Sequence, residues 1–167
     1  KYPNFHSELD DYILYAPIAT PYIIDWMKPD YAKNDFLNRS IMLAKSQALM
    51  MAIIYPTKYL TKMVRPDGRA FNSYPSGHTA QAFVAATFMH EELKHKSVWY
   101  SVGAFSIAGT VGAFRMLNNR HWISDVFAGA AIGILSTKIA YLTHQYKWGK
   151  NRNAISFRFT PIFYTSL

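Results

Sequence analysis

Cysteine is absent from all 167 residues. That excludes a disulfide, a thiolate nucleophile and a cysteine-based zinc site, and it leaves the redox compartment unreadable. Acidic side chains are few, 10 against 18 Lys plus Arg, for a formal net charge of +8. Such a balance favours an anionic partner, whether a phosphate ester, an anionic lipid surface or nucleic acid, and charge alone does not choose among them. Charged residues of both signs make up only 17% of the chain, below the usual quarter or so of a soluble domain. What fills their place is apolar: half the residues are hydrophobic and 16% are aromatic. No internal repeat or low-complexity tract is evident. Nothing at Lys1-Tyr2-Pro3 resembles a signal peptide, and the length suits a single domain over residues 1–167.

The apolar runs carry helical rather than strand periodicity. Tyr12 to Met27 is interrupted by Pro17 and Pro21 and reads as one broken helix or two short ones. Ile41 to Val64 reads as a long helix, capped by Asn38 or Ser40 and kinked at Pro56, with Lys58, Lys62 and Arg65 on one face near its end. Ser76 is the expected N-cap of a third helix reaching about Leu93, followed by a charged turn from His90 to Lys96. Ser97 to Phe114 is a run of 18 residues without a charge, the minimum for a bilayer span. His121 to His144 is the last long helix, with the small residues Ala128, Gly129, Ala131 and Gly133 permitting close packing. Ile155, Phe157 and Phe159 alternate with polar residues as in a strand, so the tail 151–167 reads as extended. The expected fold class is all-α: a compact multi-helix bundle, a phosphate site between its helices and a short extended C-terminal tail.

Three clusters hold the chemistry: Lys58-x6-Arg65-Pro66, Pro75-Ser76-Gly77-His78 and Arg115-x5-His121-x3-Asp125. Lys58, Arg65 and Arg115 supply three cations, two of them forked guanidiniums suited to bidentate contact with a phosphoryl group. Ser76 and the backbone N–H groups of Gly77 and His78 add donors at a helix start, where the backbone itself favours an anion. His121 and Asp125, four apart, would share one helical face. The carboxylate then orients the imidazole, making His121 the better nucleophile, while His78, lacking a carboxylate neighbour in the sequence, is the better acid. Such a pair implies a phosphohistidine that water later opens.

These clusters resemble the type 2 phosphatidic acid phosphatase superfamily, which also includes bacterial class A acid phosphatases and vanadium haloperoxidases. Its pattern, K-x6-R-P, then P-S-G-H, then S-R-x5-H-x3-D, is matched at Lys58, Arg65, Pro66, Pro75, Ser76, Gly77, His78, Arg115, His121 and Asp125. Three separated motifs in order are a specific signal. The resemblance implies a helical fold, no metal ion and no cofactor, with phosphate or vanadate able to occupy the site. It also implies His121 as nucleophile, Asp125 as its support and His78 as acid. The chain departs from the pattern at Phe114, where the family has Ser, and in the short connection from Pro66 to Pro75.

The expected activity is hydrolysis of a phosphomonoester or diphosphate, lipid-linked because apolar and basic surface surround the phosphate seat. A lysophospholipid, phosphatidate, isoprenyl diphosphate or lipid A could carry the headgroup. Competing readings are a soluble acid phosphatase of broad specificity, a vanadate-dependent haloperoxidase and a non-catalytic basic module of the cell envelope. Nucleic acid is set aside as a partner. The oligomeric state is open, and an extracytoplasmic, membrane-touching location is expected. A mean hydropathy of −0.06 is low for an enzyme with many spans, and Lys138 weakens Val126–Leu142 as a second candidate span.

Overall fold

A computed structural model describes residues 7–29 and 31–144, which form six helices and no strand. The extended tail expected over 151–167 lies outside those residues. The helices are α1 (Leu9–Ile13), α2 (Ala16–Met27), α3 (Phe36–Thr61), α4 (Gly77–Leu93), α5 (Val98–Leu117) and α6 (Ile123–Leu142). Helix α4 is the axis. Its first three turns carry no charged residue and are rich in alanine, so every face can be buried, and it packs against α2, α3, α5 and α6.

The prolines act differently from their sequence expectation. The break between α1 and α2 falls at Leu14–Tyr15, while Pro17 sits in the first turn of α2, where its missing N–H costs nothing. Pro21 lies inside α2, and its carbonyl accepts from Arg39 Nη1 at 2.6 Å. Arg39 also pairs with Asp25 at 2.6 Å and lies over the Tyr22 ring, fastening α3 to α2.

Helix α3 begins at Phe36 behind Asp35, so Asn38 and Ser40 are interior rather than capping, and Ser40 Oγ donates to the Phe36 carbonyl. It ends at Thr61, because Lys62 takes a left-handed conformation, φ 45°. That turn removes Lys62 and Arg65 from the face expected to hold them with Lys58; the Lys62 ammonium lies over Tyr59 instead. Helix α4 ends at Leu93 as expected, so of the charged stretch His90 to Lys96 only residues 94–96 form the turn, and Glu91 and Glu92 lie buried in the last helical turn. Glu92 accepts from the Asn34 backbone and side chain and from the Tyr141 hydroxyl, which satisfies a carboxylate that could not otherwise leave water.

Helix α6 is built inside out relative to a soluble protein. Its buried stripe is small or polar, with Asp125, Gly129, Gly133, Ser136, Thr137 and Ala140, while Ile123, Phe127, Leu135, Ile139 and Leu142 face outward. Of the two candidate spans, only the stretch in α6, Ile123–Leu142, is long and apolar enough among the described residues, and a third of its most apolar window is buried. The glycines on the inner stripe set how near α6 comes to α4. A Cβ on Gly129 would lie 2.4 Å from the Ser76 carbonyl oxygen, and one on Gly133 2.4 Å from that of Ala80. Both obstacles are backbone, which cannot swing away as a side chain can. Gly129→Ala is therefore expected to cost about 1–3 kcal/mol by overpacking, read as a lowered Tm, whereas alanine at Gly109, where no atom lies within 4 Å of the added carbon, should not.

Candidate active site

The site is assembled around one carboxylate. Helix α6 starts at Ile123 with Trp122 as N-cap, and Asp125, on its first turn, folds back so that Oδ2 accepts from the Trp122 N–H at 2.9 Å. The same oxygen accepts from Ser73 Oγ and lies 3.5 Å from His121 Nδ1, while the Asp125 backbone carbonyl accepts from the Ser76 N–H at 3.0 Å. Asp125 is 0% exposed. His121 thus stands before the helix, not on it, and the expected pairing of imidazole and carboxylate arises from capping rather than from a shared helical face. The separation of 3.5 Å makes it an electrostatic contact, and Nδ1 has no hydrogen-bond partner among the described residues.

His121 is 4% exposed. Burial first, then the charges of Lys58 and Arg65, push its pKa down to about 4, against the opposing pull of Asp125 and the Ser73 backbone. It is therefore neutral at ordinary pH. Lys58, in the last turn of α3, donates to the Asn72 carbonyl at 2.7 Å, and its Cε comes within 4.0 Å of where a Cβ on Gly77 would be. Burial and then Arg65 push its pKa down to about 8. Arg65 lies in the turn after α3, held through its backbone by Ala70 and Gly68. Its Nε is buried without a hydrogen bond, and no carboxylate pairs with it among the described residues. Burial and then Arg120 lower its pKa, with Asp67 opposing them only in part.

Arg115, in the last turn of α5, meets two carboxylates from α1. Its Nε lies 2.6 Å from Asp10 Oδ2, in an alignment too poor for a hydrogen bond, and its Nη2 donates to Asp11 Oδ1. The sequence suggests no more than a helix start or a solvent feature for this acidic pair, yet Asp10 is 1% exposed. His78, in the first turn of α4, has its Nε2 3.0 Å from the same Asp11 Oδ1. So the acid expected to lack an adjacent carboxylate has one, supplied from 67 positions earlier in the chain. Ser76 is the N-cap as expected, but its hydroxyl is fully buried and faces Thr79, with Oγ to Oγ1 at 2.9 Å. What α4 offers an anion is backbone, since the first-turn N–H groups of Gly77 and His78 have no intrahelical acceptor.

The structure brings Lys58, Arg65, Gly77, His78, Arg115, His121 and Asp125 into one neighbourhood of mutually acting charges. Lys58, Gly77 and His78 also line a cavity of about 280 Å³ whose remaining wall is largely apolar, with Leu14, Met50, Met51 and Ile54. Arg65, Arg115 and His121 are not in that wall. Among the described residues no group of three His, Asp or Glu side chains suits a metal ion. Ser73, Asp10 and Asp11 were not legible from the motifs, because nothing local marks them and their partners are distant in sequence.

A family model, the PAP2 superfamily, matches residues 21–149. The chain belongs to the PAP2 superfamily. It is 38% identical over 138 residues to a protein of Porphyromonas gingivalis named lipid A 1-phosphatase, an alignment covering 83% of this chain and 31% of that protein. The chain thus spans about a third of the length of this curated relative. Its fold is similar to the crystal structure of Aquifex aeolicus LpxE, with a TM-score of 0.64 over 84% of this chain and 90% of that one, at 22% identity. Inorganic phosphate should bind this PAP2 chain and raise its Tm, by about 2.7 kcal/mol of stabilisation at a hundredfold excess over Kd. Arg65→Ala should largely remove that shift, as read by thermal denaturation with and without phosphate.

Proposed function

We propose that the chain is a phosphatase that hydrolyses a phosphomonoester or diphosphate carried on a lipid, through a phosphohistidine and without a metal ion. The observation that carries the reading is a buried imidazole, His121, within the field of Lys58 and Arg65 and 3.5 Å from the Asp125 carboxylate. In this scheme the phosphoryl oxygens are held by Lys58, Arg65, Arg115 and the backbone N–H groups of Gly77 and His78. The lone pair on His121 Nε2, the nitrogen turned away from Asp125, attacks phosphorus. The P–O ester bond breaks, and His78 gives its proton to the departing oxygen. Water then attacks the phosphohistidine, neutral His78 takes its proton, and cleavage of the P–N bond restores His121. The fixed cations supply the charge neutralisation that phosphoryl transfer needs.

Three observations support a lipid carrier. The cavity at Lys58 and His78 is apolar along α3 from Met50 to Lys58, about 12 Å of helix. The large side chains of α6 face outward over a small, polar inner stripe, the arrangement expected where acyl chains rather than water are the surroundings. The curated relative's name specifies a lipid A phosphate. The reading includes one catalytic domain over residues 1–167, in contact with a membrane of the cell envelope and acting at its extracytoplasmic face. A soluble acid phosphatase is disfavoured by the outward apolar stripe of α6.

The pH profile follows from the two imidazoles. Protonating His121, near pH 4, removes the nucleophile, and deprotonating His78, whose pKa lies below the ordinary 6.5, removes the acid. The kcat/KM profile of the full chain should be a bell on the acid side of neutrality. His121→Ala should abolish phosphate release, and His78→Ala should lower it about 10²–10⁴-fold. Persistence of turnover in His121→Ala would sink the mechanism. Met51→Trp, narrowing the cavity, should raise KM for a long-chain lipid phosphate more than for a short soluble ester; an equal effect on both would refute the lipid assignment of the cavity.

A further inference from the structure

Asp11 is the least explained side chain near the site. It belongs to α1, outside the three motifs, yet one of its oxygens serves two of their members: Oδ1 accepts from Arg115 Nη2 and lies 3.0 Å from His78 Nε2. Helix α1 packs on α5, and Asp10, the neighbouring residue, is buried against the Arg115 Nε, so the five-residue helix is held at the site by two charge contacts with one guanidinium. The Asp11 side chain is itself half-exposed. Its position is therefore not forced by burial; it is where the two cationic groups hold it.

We propose that Asp11 is a positioning residue for the acid step: its carboxylate holds His78 through Nε2, leaving Nδ1 to protonate the departing oxygen, and fixes Arg115 beside it. The inference rests on the phosphatase reading above. As the ester P–O bond breaks, the proton on Nδ1 passes to the leaving oxygen. His78 becomes neutral with its Nε2 still against Asp11 Oδ1, 3.0 Å away in the resting structure. In the second half the same Nδ1 accepts a proton from the attacking water. An imidazole without such an anchor is free to rotate and must carry its positive charge beside two guanidiniums. The charged groups facing His78 are Asp10 and Asp11 from α1, Arg115 from α5, Arg65 from the loop after α3 and, across the cavity, Lys58. Burial and then Arg115 lower the His78 pKa, and Asp11 is the largest opposing influence, so that carboxylate limits how far the acid form is disfavoured in a cationic setting.

An acid matters most when the leaving group is poor, so the test compares two phosphate esters with the full chain. For an alkyl phosphate, whose alkoxide must be protonated to leave, Asp11→Asn should reduce kcat/KM at least ten times more than it does for p-nitrophenyl phosphate. The alkaline limb of the pH profile should move to lower pH, and Asp11→Glu should restore much of the alkyl activity. Equal losses for both esters with an unmoved alkaline limb would reduce Asp11 to a structural tie. A gain in activity would mean that its carboxylate competes with phosphate for the site; either result overturns the proposal. If the variant turns over too slowly to assay, the His78 imidazole titration followed by NMR should show a lower pKa in Asp11→Asn than in the wild type, and an unchanged pKa also overturns it. Absence of phosphate release from both esters by the wild-type chain would instead defeat the phosphatase reading itself.

Discussion

The site hangs on the Asp125 carboxylate and its exclusion from water. A fully buried anion is tolerated only if its lone pairs are used, and here they are used from two stretches, by Ser73 before α4 and by the Trp122 N–H and Ser124 hydroxyl at the start of α6, with His121 beside them in electrostatic contact. The Asp125 backbone carbonyl also receives the Ser76 N–H. The start of α4 and the start of α6 are thereby locked together. One residue caps a helix, orients an imidazole and sets the spacing between two motifs, so replacing it leaves several buried donors without an acceptor at once.

That lock works because α4 and α6 approach closely. Gly129 and Gly133 give the Ser76 and Ala80 carbonyls room that any larger residue would occupy. The inner face of α6 thus becomes small and polar, and its bulk is displaced to the outer face. In water such a helix would expose Phe127, Leu135 and Leu142 at a cost, whereas against acyl chains the same surface is favourable. Close packing at the site and an apolar exterior are in this sense one design.

Charge is divided unevenly among the clustered side chains. His121 sits between a carboxylate and two cations, and burial with the cations prevails, keeping it neutral. Arg65 has no carboxylate partner among the described residues, while Arg115 has two. Arg65 therefore has no direct carboxylate contact among the described residues and only the more distant pull of Asp67, whereas Arg115 is braced by two carboxylates. The acidic α1 is what makes the difference.

The three motifs, the helical class, the cap at Ser76 and the small stripe of α6 were legible in the sequence, because each depends on spacing or on residue types a few positions apart. The ends of α3 and α6 were not. A left-handed Lys62 and a cap at Trp122 are decided by which hydrogen bonds the folded chain makes available; the first ended α3 three residues before Val64, and the second moved His121 off the helix that periodicity assigned it. Asp10, Asp11 and Ser73 were likewise invisible, since their partners lie 52 to 105 positions away. The sequence by itself determined which chemical groups are present and in what order. Only the tertiary structure decided which carboxylate neutralises which cation, because Coulomb attraction and desolvation depend on distance through space and on burial, and neither is a property of neighbours along the chain.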